Sequence, residues 1–366
     1  MTIRALERGD VTTVANLLVS AFQHTDRPAG PSLVSYIEQL FLDRPDRDPE
    51  INSLVHVDAT NRVTGFIGVL TQNMSFHGRK LRLAMCNSFS VEKNSKDMMA
   101  AAHLLRAFIQ GPQDLSLSDR CNPSSLAMWR ALRGPSLPYY SLDWQRVLQP
   151  AGYLAAQAAA RTGYARPLLP IASGVDRLIA RAGKDGQWAL TSPKGAASLT
   201  VEDVDDDVLL DIIPELVAEV PLHPVWTEAG LRHILRDAAH KSELGTLVRQ
   251  VVRGKGGRLV GAYLYHTRPR GIAETLHVLP ARDQAPVVID CLLQDAKSRG
   301  AVAVRGRAQP VLLEPLMDRH ATFSSPMRCL AAARDPEVLA ALNNGEAVVT
   351  GLVGEYWTRL NGDGLQ

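Results

Sequence analysis

The order of apolar periods in residues 1–148 recurs from residue 197 onward, which restricts the chain to a unit that can be built twice. The first pass opens with a strand over Thr2–Ala5. A helix follows, with Asp10 at its N-cap and Val11, Val14, Ala15, Leu18 and Phe22 on one face. Pro31 and Ser32 open a second helix carrying Leu33, Ile37, Leu40 and Phe41. Strands are predicted over Ser53–Val57, Val63–Phe76 and Lys80–Val91, the last two joined by a His77-Gly78 turn. The period then returns to helical at Met98, Ala101, Ala102, Leu105 and Phe108. A strand over Leu115–Ser118, a helix capped by Asn122 and a strand over Ser141–Leu148 complete the unit.

The second pass has the same order. It predicts a strand at Ser198–Val201, helices at Val208–Val220 (interrupted by Pro214) and Thr227–Arg236, and strands at Thr246–Val252, Leu259–His266 and Ile272–Val278. A helix at Pro286–Ser298, a strand at Ala301–Val304 and a helix at Val311–Met317 follow. Ile3 and Leu199 differ by 196 positions, as do Arg62-Val63-Thr64-Gly65 and Arg258-Leu259-Val260-Gly261. Leu104-Leu105 and Leu292-Leu293 differ by 188, as a central hairpin shortened in the second unit requires. A repeat this long means duplicated domains rather than a solenoid. The expected division is 1–149, a linker with some helix over 150–196, and 197–366. The expected fold class is α+β, each unit a mixed, mostly antiparallel sheet flanked by helices. The C-terminal run Gly354-Glu355-Tyr356-Trp357-Thr358-Arg359-Leu360 is expected to close the second sheet.

Composition narrows the partners. The 366 residues are 46% hydrophobic and 21% charged, so a packed core is attainable and disorder is a poor reading. A formal net charge of +2 gives no reason to expect nucleic acid or an anionic membrane. Cys86, Cys121, Cys291 and Cys329 lack metal-ligand spacing and read as reduced thiols. The charged start MTIRALERGDV does not read as a signal peptide, and no run approaches the length of a membrane span, so a cytoplasmic protein is expected.

The repeated unit resembles the GNAT family of acyl-CoA-dependent N-acyltransferases. The likeness lies in Ile3-Arg4-Ala5-Leu6-Glu7-Arg8-Gly9-Asp10, in Arg62-Val63-Thr64-Gly65-Phe66-Ile67-Gly68, and in Phe89-Ser90-Val91 before a helix. It continues in Asp119-Arg120-Cys121-Asn122-Pro123-Ser124-Ser125 with Trp129 and Gly134. The resemblance implies a transferase in which acetyl-CoA, or another acyl-CoA, lies in a notch where two parallel strands splay. A small-molecule amine acceptor would attack the thioester directly, and no metal takes part. Backbone N–H groups at a helix N-terminus would receive the pyrophosphate. The residues carried over for binding are Val91, Lys93, Lys96, Met98, Met99, Ala100, Ala101, Asn122 and Ser125, with a backbone N–H near Val91 on the oxyanion.

The pattern also departs from the family. Its pyrophosphate loop reads Arg/Gln-x-x-Gly-x-Gly/Ala. Lys96 takes the first place and Ala101 fits the last, while Met99 replaces a glycine. In the second unit Gln284 fits, but Val287 and Ile289 replace both small residues and Pro286 removes an N–H, so that unit is expected not to hold a pyrophosphate. Trp129 stands where many members place a tyrosine acid, and its indole has no proton to give. The base stays unassigned, with Glu92 and Ser125 nearest the loop and the helix. A binding module without catalysis and a tRNA-dependent aminoacyl ligase remain as alternatives.

Other features have structural readings. Gly254-Lys255-Gly256-Gly257 reads as a hairpin turn, not a P-loop. His233 and Asp237 read as a solvated i,i+4 pair, His277 and Asp283 as an accidental pair, and the acidic run Val201–Asp211 as a helix start.

Overall fold

The computed structural model describes residues 2–365 apart from 24, 26, 93–96, 133, 163–173, 177, 179–188 and 194. Among the described residues the strands form two seven-stranded mixed sheets flanked by helices. The first begins with β1 (Thr2–Ala5), β2 (Leu54–Val57), β3 (Val63–Phe76), β4 (Arg79–Val91) and β5 (Leu115–Cys121). Helices α1 (Val11–Leu18) and α2 (Pro31–Phe41) connect β1 to β2, and α3 (Ala100–Ile109) connects β4 to β5. The second begins with β7 (Thr200–Asp203), β9 (Thr246–Arg253), β10 (Leu259–Thr267), β11 (Ile272–Pro280) and β12 (Ala303–Arg307). These follow the first order, with α6 (Asp206–Val217) and α7 (Glu228–Ala239) after β7 and α8 (Ala285–Ser298) after β11. Helix α6 runs on through Pro214, where an interruption is expected from sequence.

The central hairpin forms for a local reason. His77 and Gly78 both take positive φ, 49° and 81°, the combination of a tight two-residue turn whose twist matches the strands. Phe76 therefore pairs with Arg79, and the register runs back along both strands.

Neither half of the sequence completes its sheet alone. After α4 (Pro123–Ala131), β6 (Asp143–Val147) leaves the first sheet and pairs antiparallel with β12. In return β14 (Arg328–Ala333) crosses back and pairs antiparallel with β5. The short β8 (Leu222–Pro224) pairs with the end of β3, and β13 (Thr322–Ser324) flanks β6. The exchange crosses the expected 1–149 and 197–366 division in both directions. Of the expected linker, α5 (Pro150–Thr162) is helical, and much of the remainder lies outside the described residues.

One apolar core joins the halves, with Phe41, Phe66 and Leu115 packed in the same cluster as Leu235, Leu264 and Trp357. Its polar seam includes the pair expected to be solvated. His233 and Asp237 are buried at 7% and 5% exposure, because α7 packs inward. Tyr36 of α2 donates its hydroxyl to Asp237 Oδ2 at 2.8 Å and accepts the Arg359 N–H at 2.9 Å.

The C-terminal run is a correction to the sequence reading. Residues 354–360 form turns, not a strand. They follow α9 (Pro336–Asn344) and pass between the halves, with Trp357 buried edge-on to His233 at a 5.9 Å centroid separation. The acidic run is consumed locally: Asp205 caps α6, while Asp203, Asp206 and Asp207 pair with Arg299, Arg249 and Arg232. The Gly254–Gly257 stretch is an exposed turn between β9 and β10. His277 is buried in β11 and its Nδ1 accepts the Leu352 N–H at 3.1 Å, whereas Asp283 is exposed. All four cysteines are buried and free. Among the described residues no helix is long and apolar enough to cross a membrane.

Candidate functional site

A notch opens where parallel strands stop pairing. Strands β4 and β5 pair only from Leu83/Leu115 to Met85/Leu117, although β4 runs on to Val91 and β5 to Cys121. Just past the last pair β4 is bulged. Between the pairs Gly68/Asn87 and Phe66/Ser90 it carries two residues against one on β3, and Ser88 takes φ 55°. A bulge re-aims the strand and frees backbone groups. Gly68 is required there, because a Cβ would meet the Phe41 ring at 2.6 Å.

A cleft of about 340 Å³ fills this notch. Its floor is Cys86–Phe89 with Ser118, Arg120 and Cys121. Leu18, Phe22, Leu33 and Trp129 supply apolar walls, and the C-terminal turns close it with Glu355, Arg359 and Leu360. Asn122 and Ser125 line it where β5 enters α4, the Ser125 N–H bonded to Asn122 Oδ1 at 2.9 Å. Trp129 is fully buried, edge-on to Phe108.

The other residues singled out from sequence lie elsewhere. Val91 pairs with Gly65 at the far end of β4. Met98 and Met99 are exposed before α3, Ala100 is buried under it and Ala101 is half-buried. Lys93 and Lys96 lie outside the described residues. At the start of α3, Asp97 Oδ1 accepts the Met99 N–H at 2.8 Å, and Asp97 Oδ2 meets His56 Nε2 at 3.1 Å. That carboxyl, held below its ordinary pKa first by the Met99 N–H, already supplies negative charge where a helix N-terminus would draw an anion. Glu92 is turned to Arg62 at 2.9 Å.

The titratable group sequence reasoning missed is Glu355. Its Oε2 accepts from Asn87 Nδ2 at 3.1 Å, and its backbone N–H donates to Asp119 Oδ2 at 3.3 Å. Gly354 permits that approach, since a Cβ there would stand 2.0 Å from Asp119 Oδ2. Burial, and then the like charge of Asp119, push the Glu355 carboxyl up to about 8. Burial also raises Asp119, against the pull of Arg307 and Arg120. The usable signal was the glycine punctuation, Gly345, Gly351 and Gly354, which marks turns rather than a strand. The Cys86 and Cys121 thiols are pushed up by burial, the latter to about 12, so neither supplies a thiolate near neutrality.

A second notch repeats the device. Strands β11 and β12 pair from Ile272/Ala303 to Thr275/Gly306, β11 continues to Pro280, and Leu276 is the extra residue of a bulge against β10. The cleft beside it, about 370 Å³, is lined by Asp119, Arg120, Asp143, Glu274, Arg305 and Arg307 among others. Arg120 lines both clefts, and Glu355 and Tyr356 face one each.

No protein-family profile matches the sequence. No curated protein matches it either. Solved structures do resemble it. A GCN5-related N-acetyltransferase from Anabaena variabilis superposes over 92% of this chain and 73% of its own, with TM-score 0.59 and 12% identity. One from Kribbella flavida covers 92% of this chain and 71% of its own at TM-score 0.55 and 12% identity. Eis1 from Mycobacterium abscessus covers 93% and 75% at TM-score 0.53 and 12% identity.

Proposed function

Given a chain with the fold of the GCN5-related N-acetyltransferases, we propose that it transfers an acyl group from an acyl-CoA to an amine in the first cleft. The observation that carries this reading is the Glu355 carboxyl beside the β4 bulge, at the edge of a notch lined by both apolar and polar groups. The notch suits an acyl-pantetheine arm: two strand edges freed from each other, with apolar walls from Leu18, Phe22, Leu33 and Trp129. Bound there, an acyl-CoA supplies an activated thioester carbonyl. Backbone N–H groups freed at the bulge would meet its oxygen. The described part of the α3 N-terminus fits a pyrophosphate less well, because the Asp97 carboxylate already accepts the Met99 N–H there.

The proton inventory follows from the same geometry. An attacking amine gives up one proton as the C–N bond forms, and the departing thiol takes one up as the C–S bond breaks. Trp129 offers none. Glu355, titrating near 8, can accept the first and return it to the sulfur. Asn87 holds the carboxyl toward β4.

Calorimetric titration with acetyl-CoA, and in parallel with a long-chain acyl-CoA, tests the reading. One acyl-CoA per chain is expected. Folded protein that binds neither overturns acyl transfer and favours the non-catalytic reading, for which the Asp97 carboxylate speaks.

A further inference from the structure

The wall between the clefts holds a cation, Arg120, whose charge faces the buried carboxyls of Asp119 and Glu355 and whose side chain makes no hydrogen bond among the described residues. Arg120, half-buried at the end of β5, lies over Tyr356 at 5.0 Å from the ring centroid, and Lys241 Nζ lies 4.4 Å from the same centroid. Among the described residues nothing makes a hydrogen bond or ion pair with the Arg120 side chain. The other two cations of the second cleft are engaged, Arg305 by Glu274 and Arg307 by Asp143. Arg120 thus keeps a planar fork of five N–H donors, oriented by stacking, and that fork matches a carboxylate.

The lining of the second cleft is itself charged and polar. Behind this lining, four residues each hold a polar atom without a protein partner, Asp119 Oδ1, Trp144 Nε1, Thr275 Oγ1 and Arg307 Nε, all closed off from the open cleft. Trp144, Thr275 and Asp119 are 1%, 6% and 2% exposed. Groups this deep are normally bonded, and leaving one unbonded costs about 1–3 kcal/mol. The cleft also balances three arginines with three acids, Asp119, Asp143 and Glu274. A zwitterion keeps that balance, whereas a polyamine or a dicarboxylate upsets it.

We propose that the second cleft admits the acceptor and that Arg120 binds its carboxylate, so the acceptor is an amine that also carries a carboxylate, of amino-acid type. Asp119, the residue before Arg120, accepts the Glu355 N–H, so the carboxylate anchor and the proton acceptor sit on touching segments. The inference rests on the acyl-transfer reading.

The test is thiol release from acetyl-CoA with paired acceptors: glycine, 4-aminobutanoate and 6-aminohexanoate against their carboxamides and hexylamine. The carboxylates are expected to give kcat/KM about 30-fold higher, the worth of a charge-assisted pair. Arg120→Ala should abolish that preference through the acceptor KM, and Arg120→Lys should restore part of it. Ser324→Trp, at an exposed position on the rim of the second cleft, should raise the acceptor KM alone. Equal turnover of amines and amino acids, or a Ser324→Trp enzyme with an unchanged acceptor KM, overturns this inference and leaves acyl transfer standing. Acetyl-CoA binding with no turnover of any probe overturns both.

Discussion

The two notches share a backbone and differ in almost every side chain. Each opens where a parallel pair ends beside a one-residue bulge, between β4 and β5 in one half and β11 and β12 in the other. The first has apolar walls from Leu18, Phe22, Leu33 and Trp129 beside polar groups, and holds one high-pKa carboxyl, Glu355. The second is lined by three arginines and three acids, with Arg305 paired to Glu274 and Arg307 to Asp143. Topology therefore supplies the opening, and side chains decide what chemistry it can host. The C-terminal turns make the difference, since Glu355 enters the first cleft while its neighbour Tyr356 faces the second.

The largest expected effect comes from removing that carboxyl. Glu355→Gln should lower kcat by about 100-fold or more, within the range of general acid–base catalysis, while acyl-CoA binding persists. The same change should stabilise the fold at high pH. A carboxyl raised from 4.5 to about 8 binds more protons folded than unfolded between those values. Stability from this group is therefore full below 4.5 and lost as pH rises through 8. Thermal melts should show Glu355→Gln gaining about 2 °C at pH 8.5 and nothing at pH 4. A loss of stability at both pH values would remove the contrast between the clefts.

A smaller effect tests the coupling across the wall. The wild-type rate should rise with pH through about 8, as Glu355 ionises. Asp119→Asn removes the like charge and should move that limb down by about one pH unit. An unmoved limb would mean that the base lies elsewhere. Smallest is Asn122→Ala, which removes the α4 cap and should cost about 1 kcal/mol by urea denaturation. A much larger loss in acyl-CoA affinity than in stability would give Asn122 a part in binding beyond its cap.

What the sequence reveals follows the range of the interactions. The β3–β4 hairpin was legible because a His-Gly turn and two long apolar runs lie next to each other. The order of strands in the two sheets was legible because each strand carries its own local apolar period. The exchange of β6 and β14 was not, because no local pattern names a strand's partner, and Arg-Cys-Leu-Ala-Ala-Ala at 328–333 lacks the alternation of a half-buried strand. The Asn122 cap was legible because a cap has a local signature. Glu355 was missed because its environment comes from β4, β5 and the C-terminal turns together.

The reciprocal strand exchange also sets a timetable for making the protein. Strand β5 ends at Cys121, yet its partner β14 begins at Arg328. A ribosome adding 5–20 residues per second takes roughly 10–40 s to synthesise the chain between them. Throughout that interval the emerging first half presents an unpaired strand edge and an unfinished apolar face. Vectorial synthesis therefore cannot complete the first sheet before most of the second half has been made.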